Sequence, residues 1–192
     1  MRLFDPWIGE NYNESGLGGV RVALLGEAHY GTPDRQTSDF TYWCINNLAK
    51  VERGHAFFTK VAKLFIDVEP GVPLSLEQKC AFWDSVAFTN YVQSFPSGKA
   101  RVRPSAEMWS HAAECLPATL AELDADFVLV LGKSLANRLP PLPLVDPATL
   151  CYVPHPSSFG FRPQRWRSSV LSAFHQAGPN NSFRPNPLHG PA

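Results

Sequence analysis

The sequence predicts an α/β fold: a central four-stranded parallel sheet with helices on both faces, in three α/β/α layers. Short apolar runs at 21–26 (RVALLG), 85–90 (SVAFTN), 127–132 (FVLVLG) and 149–153 close on glycine, asparagine or proline, as buried parallel strands do. Stretches with helical spacing of apolar residues separate them, which calls for a doubly covered parallel sheet. The length of 192 residues suits one domain with a sizeable core. A single domain over 1–177 is expected, with a flexible tail over 178–192 rich in Pro and Asn.

The elements follow in order. Residues 1–20, rich in Gly, Asn and aromatics, read as an irregular lead-in to the first strand at 21–26. A polar loop runs from Glu27 to about Asp39, and helical spacing covers 41–52 and 57–66. The second strand is 85–90. Ser105 is a good N-cap, and Met108, Ala112, Cys115 and Leu116 fall on one face of the helix that follows to about Leu123. The third strand at 127–132 leads to a short helix over 134–139, and Pro154 halts the fourth strand at 149–153. Pro163 fits a first helical turn, so 164–177 is the last helix.

Hydrophobic residues make up 44% and charged residues 18% of the chain, a globular balance that excludes wholesale disorder. No apolar run reaches bilayer length and no leader pattern opens the chain, so a soluble, cytoplasmic monomer is expected. The four cysteines, Cys44, Cys80, Cys115 and Cys151, form no close-spaced pair, which argues for reduced thiols and against zinc or a cluster. No metal and no cofactor is expected. Formal net charge is zero, which excludes a strongly basic, non-specific nucleic-acid binder. Two local basic clusters stand out: Lys99, Arg101 and Arg103, and the acid-free C-terminal stretch with Arg162, Arg165, Arg167 and Arg184.

In parallel sheets ligands bind beyond the carboxyl ends of the strands. The strands at 21–26, 85–90 and 149–153 lead into Gly26-Glu27-Ala28-His29-Tyr30-Gly31, Thr89-Asn90 and His155-Pro156-Ser157-Ser158-Phe159. These polar strand ends fall on one rim.

These strings, in this order and with Phe57-Phe58 between the first two, resemble the uracil-DNA glycosylase superfamily over roughly 21–170. The Gly-Glu-Ala opening and the segment Arg103-Pro104-Ser105-Ala106-Glu107 look most like its thermophile-type, iron–sulfur branch. Tyr30 and the His-Pro-Ser-Ser-Phe loop look more like the classical branch. The iron–sulfur branch needs an N-terminal cysteine pair, and no cysteine precedes Cys44; no cluster is expected.

The resemblance implies a uracil-DNA glycosylase-like fold. It also implies a monofunctional enzyme that flips a base from DNA and hydrolyses its N-glycosidic bond, leaving an abasic site. DNA is the expected partner. Phe57 or Phe58 matches the phenylalanine that stacks on the flipped base, and Asn90 the amide that reads its edge. His155 matches the histidine that stabilises the departing pyrimidine anion. Ser157 and Ser158 match the loop that pinches the strand through phosphates, and Phe159 the apolar wedge that replaces the flipped base. Arg162 and Arg165, with Arg167, follow as phosphate contacts. Where classical members carry a catalytic Asp this chain has Ala28; Glu27 and Asp34 are the acids left to orient water. Ala28, His29 and Tyr30 complete the expected substrate contacts. Tyr30 favours uracil, whereas the small Ala28 and Gly31 leave room for a 5-modified pyrimidine such as a phage hypermodified cytosine, which implies an anti-phage role. Two alternatives stand beside this: a non-catalytic reader of damaged or modified DNA, and an unrelated α/β hydrolase of nucleosides or small glycosides. No G-x-S-x-G elbow occurs, and Gly16-Leu17-Gly18-Gly19 precedes the first strand, the wrong place to cradle phosphate.

Overall fold

The computed structural model describes residues 2–99, 102–141 and 149–178. Arg101, Arg184 and nearly all of the expected tail lie outside the described residues. The chain forms an α/β sheet of five strands in the order β1-β3-β2-β4-β5. The four expected strands are β2 (Val22–Ala28), β3 (Val86–Val92), β4 (Phe127–Leu131) and β5 (Thr149–Val153). All are parallel: β2 pairs with β3 and with β4, and β4 pairs with β5. Every residue of β3 and β4 is buried, which accounts for the unbroken apolar run of β4, while β3 buries Thr89 and Asn90 within its run.

One strand exceeds the expected four. β1 (Trp7–Ile8) joins the outer edge of β3 antiparallel, with Trp7 opposite Phe88 and Ile8 opposite Ala87. Two residues are too few for an alternating pattern to be legible. The pairing is held instead by distant partners: Trp7 Nε1 donates to the Trp83 carbonyl at 2.8 Å.

Helices cover both faces. On one side lie α1 (Phe40–Cys44), α2 (Ala56–Ala62), α3 (Leu76–Asp84) and α6 (Pro163–Gln176), burying Phe40, Phe58, Phe82, Trp83 and Val170 against Leu24, Phe88 and Leu129. On the other, α4 (Ala106–Leu123) and α5 (Lys133–Ala136) bury Ala112, Leu116, Leu120 and Leu135 against Leu25, Val128 and Val130. Each buried Leu or Phe contributes roughly 1.5–3 kcal/mol.

Cap chemistry sets the helix starts. Ser105 Oγ accepts the Met108 N–H at 3.3 Å and opens α4 as expected. α3 goes beyond the expected elements, and its local signal is a capping box. Ser75 Oγ accepts from the Gln78 N–H at 3.1 Å while Gln78 Oε1 accepts from the Ser75 N–H at 3.0 Å. The helix expected over 41–52 is α only to Cys44, then widens into a π turn over Ile45–Ala49. Lys79 of α3 donates to the carbonyls of Val51 and Glu52 at 3.1 and 2.7 Å, holding the chain just past that turn. Among the described residues no helix is long and apolar enough to cross a membrane.

Candidate active site

Parallel pairing brings the carboxyl ends of β2, β3, β4 and β5 to one rim. Gly26 stands opposite Asn90 in the register of β2 and β3. A Cβ built on Gly26 would lie 2.1 Å from Asn90 Oδ1 and 3.4 Å from the Phe88 ring. The glycine is therefore what lets the Asn90 side chain lie over β2. Asn90 is 5% exposed, and its amide, whose polar atoms reach the surface, bonds to no other described residue. An almost buried amide without a protein partner must be satisfied from outside, by water or a ligand. Gly26→Ala is expected to push this amide out of place and to cost about 1–3 kcal/mol. The displacement is read from the Asn90 side-chain NH₂ resonances, and the cost from urea unfolding.

β5 ends at Val153, and the next residues fold into a tight loop. The Ser157 N–H donates to His155 Nδ1 at 3.1 Å. The Ser158 N–H and hydroxyl both donate to the His155 carbonyl, at 2.8 and 2.6 Å. Lys60 of α2 clamps the loop from outside, donating to the Pro156 carbonyl at 3.0 Å. A backbone N–H can only donate, so Nδ1 is an acceptor and the proton of neutral His155 sits on Nε2. Burial pushes the His155 pKa below its ordinary range; Glu27 acts in the opposite sense and Arg103 adds to the lowering. At neutral pH the ring is an uncharged donor through Nε2, which has no protein partner among the described residues.

Glu27, near the end of β2, is one of the two charges that bear on His155. Its side chain is 12% exposed, and Arg103 Nη1 lies 3.0 Å from each of its carboxylate oxygens. Tyr30 Oη donates to the Val102 carbonyl at 3.2 Å, so the first strand end grips the segment before α4 at two points. Asp34 stands apart on an exposed 3-10 turn over Pro33–Arg35. A hydrogen bond from the Thr32 side chain holds its carboxyl below the usual range, and its charge does not figure at His155.

Of the two phenylalanines, Phe57 is half-buried and lies 5.4 Å from the His155 ring and 6.3 Å from Phe88. Phe58 is buried against Trp83 and Phe88. Phe57 is the one at the site. Ala28, at the end of β2 opposite Val92, is half-buried.

His29 departs from its expected place among the substrate contacts. Its ring is 6% exposed and packs edge-on against Phe4 at 5.2 Å and Phe40 at 5.1 Å. Nε2 lies 3.1 Å from Thr41 Oγ1, and Nδ1 faces Cys44 Sγ at 3.8 Å. The chain turns inward after Ala28 and spends this imidazole on the aromatic core. Burial lowers its pKa to about 3. The unfolded chain takes up a proton below pH 6.5 that the folded chain refuses until about pH 3, so stability present above pH 6.5 falls as pH drops through that window. Between pH 7 and 4.5 the loss is expected to be roughly 2–3 kcal/mol. Urea unfolding at both pH values reads it, and His29→Leu should flatten the slope by that amount.

Beyond His155 the surface is open. Ser157 and Ser158 are exposed, and Phe159 projects fully, at 108% relative exposure, just before Gly160 at φ +74°. Arg162 and Arg165, at the start of α6, are exposed and make no ion pair among the described residues. Arg167 does not share this freedom. It pairs with Asp67 at 3.3 Å and donates to the Phe65 carbonyl at 3.3 Å, which removes it from the expected phosphate contacts. Gly26, Lys60 and the Glu27-binding role of Arg103 went unrecognised in the sequence. The only local hint was the glycine beside Glu27; the rest are long-range partners.

Fold and site together define an α/β protein with an amide, an imidazole and a carboxylate along the carboxyl rim of a parallel sheet. No family model matches the chain, and no curated protein matches its sequence.

Proposed function

We propose that this protein is a monofunctional DNA glycosylase of uracil-DNA glycosylase-like fold, acting on uracil or a 5-modified pyrimidine. What carries the reading is a pair of polar groups on the carboxyl rim of the sheet, one on β3 and one just past β5, with β2 and β4 between them. The Asn90 amide and the Nε2–H of neutral His155 lack protein partners among the described residues, and Glu27 sits on the strand beside Asn90. An extruded pyrimidine offers an edge to the amide and a carbonyl oxygen to the imidazole.

In this reading the flipped base lies against Phe57 with its edge on Asn90. As the bond from the base nitrogen to C1′ breaks, its electron pair passes to the base. Nε2–H of His155 stabilises the charge that develops on the pyrimidine oxygen. Glu27 orients a water whose oxygen bonds to C1′ and whose proton passes to the carboxylate and then to the base. Phe159 occupies the gap left in the stack, and Arg162 and Arg165 meet phosphates.

Duplexes carrying a single uracil, hypoxanthine or glucosylated hydroxymethylcytosine test it, with abasic sites scored by alkaline cleavage. Release from at least one pyrimidine substrate is expected. A second reading, a non-catalytic reader of modified DNA, is favoured by one observation: Arg103 Nη1 engages both oxygens of Glu27. DNA binding without release from any of the three would select the reader.

A further inference from the structure

Tyr91 follows Asn90 on β3 and therefore projects to the opposite face of the sheet. There it meets a cavity of about 300 Å³ bounded by Tyr91, Trp109, Ser110, Ala113, Arg138 and Pro140. Trp109 belongs to the first turn of α4, shortly after the Arg103 that holds Glu27. The cavity thus lies close behind the site already described.

Its chemistry is specific. The Trp109 and Tyr91 rings form one aromatic wall, with centroids 5.5 Å apart and planes at 38°. Arg138 is exposed and lays its guanidinium on Trp109, 4.9 Å from the ring centroid. No carboxylate pairs with Arg138 among the described residues, so its donor edges are unspent. The Tyr91 ring is buried, and its hydroxyl, which reaches the surface, bonds to no other described residue.

We propose that this cavity is a second nucleotide subsite, which takes an unpaired base of the bound DNA strand with its phosphate on Arg138. The volume stands at the small end of ligand clefts, which run about 300–1,000 Å³, and so suits one base. A flat aromatic wall accepts any base by its π-face. The planar fork of an arginine matches phosphate oxygens two at a time. The Tyr91 hydroxyl and Ser110 supply polar contacts for the base edge. The inference rests on the DNA-binding reading above and extends it to a neighbour of the excised nucleotide.

The test walks one abasic residue along a short fluorescently labelled single strand and measures affinity by anisotropy at each position. With the wild-type protein, removing the base at one position besides the target should weaken binding by about 5–100-fold. Trp109→Ala and Arg138→Gln should each weaken binding of the intact strand, and Trp109→Ala should erase the dependence on that position. Arg138→Gln changes an exposed side chain, so it remains informative if Trp109→Ala folds poorly. A walk in which no position besides the target matters overturns the subsite, as does unchanged affinity in Arg138→Gln. So does free dAMP binding to the cavity as tightly as the strand. Base release separates this inference from the excision reading. An active enzyme with a flat walk loses only the subsite, and an inactive protein with the walk intact loses only the excision.

Discussion

Replacing His155 by alanine is expected to slow base release by about 10²–10³-fold under single-turnover conditions, with DNA binding changed far less. That is the usual cost of removing one fixed donor from the site of developing charge. The donor is specified on both sides of the ring. Ser157 N–H occupies Nδ1 at 3.1 Å, which commits the proton to Nε2, and burial holds the ring neutral by lowering its pKa. Two further outcomes follow. His155→Gln, which keeps an N–H donor near Nε2, should recover part of the rate. The wild-type rate should stay level from pH 8 through 6.5 and decline only below, because the folded pKa lies under the ordinary 6.5. Protonation would also set an Nδ1–H against the Ser157 N–H, two donors facing each other, and open the loop. A rate that begins to fall above pH 6.5 would contradict a neutral donor.

Glu27→Gln is expected to lower the same rate by about 10²–10⁴-fold, the range that a positioned general base supplies. Asp34→Asn should stay within about twofold of wild type, because that carboxylate is fully exposed on its 3-10 turn and solvent separates it from the reacting sugar. Arg103 complicates the first substitution, since Glu27→Gln also loosens the guanidinium 3.0 Å away. Arg103→Met keeps the carboxylate and removes only its holder; a fall of about tenfold is expected from lost positioning. The reverse result, an active Glu27→Gln beside a dead Asp34→Asn, would move the water to the other end of the loop. Indifference to both substitutions, with binding intact, would point to the reader.

These two predictions rest on residues of very different legibility. His155 and Asn90 were legible because each stands beside a short apolar run: His155 two residues past Thr149–Val153, and Asn90 within Val86–Val92, where β3 continues two residues beyond the expected end. Glu27 was visible for the same reason, but not its advantage over Asp34. That advantage comes from Arg103, 76 residues away in the chain. Phe57 and Phe58 are adjacent and chemically identical; what separates them is that α2 buries Phe58 on Trp83 and leaves Phe57 beside His155. His29 misled because a histidine in a polar loop carries no local sign of burial. Its pocket is assembled from Phe4, Phe40, Thr41 and Cys44.

Sequence by itself determined the four parallel strands, the α4 start at Ser105 and the α6 start at Pro163, and it put the polar strand ends on one rim. Apolar runs, helical period and cap chemistry act over a few residues, so they can be read along the chain. Only the tertiary structure decided the β1 pairing, which phenylalanine meets His155, which acid is held in place, and that the Asn90 amide and the His155 Nε2 have no protein partners among the described residues. Whether a polar atom is satisfied depends on every segment packed around it, and that count exists only once the chain has folded.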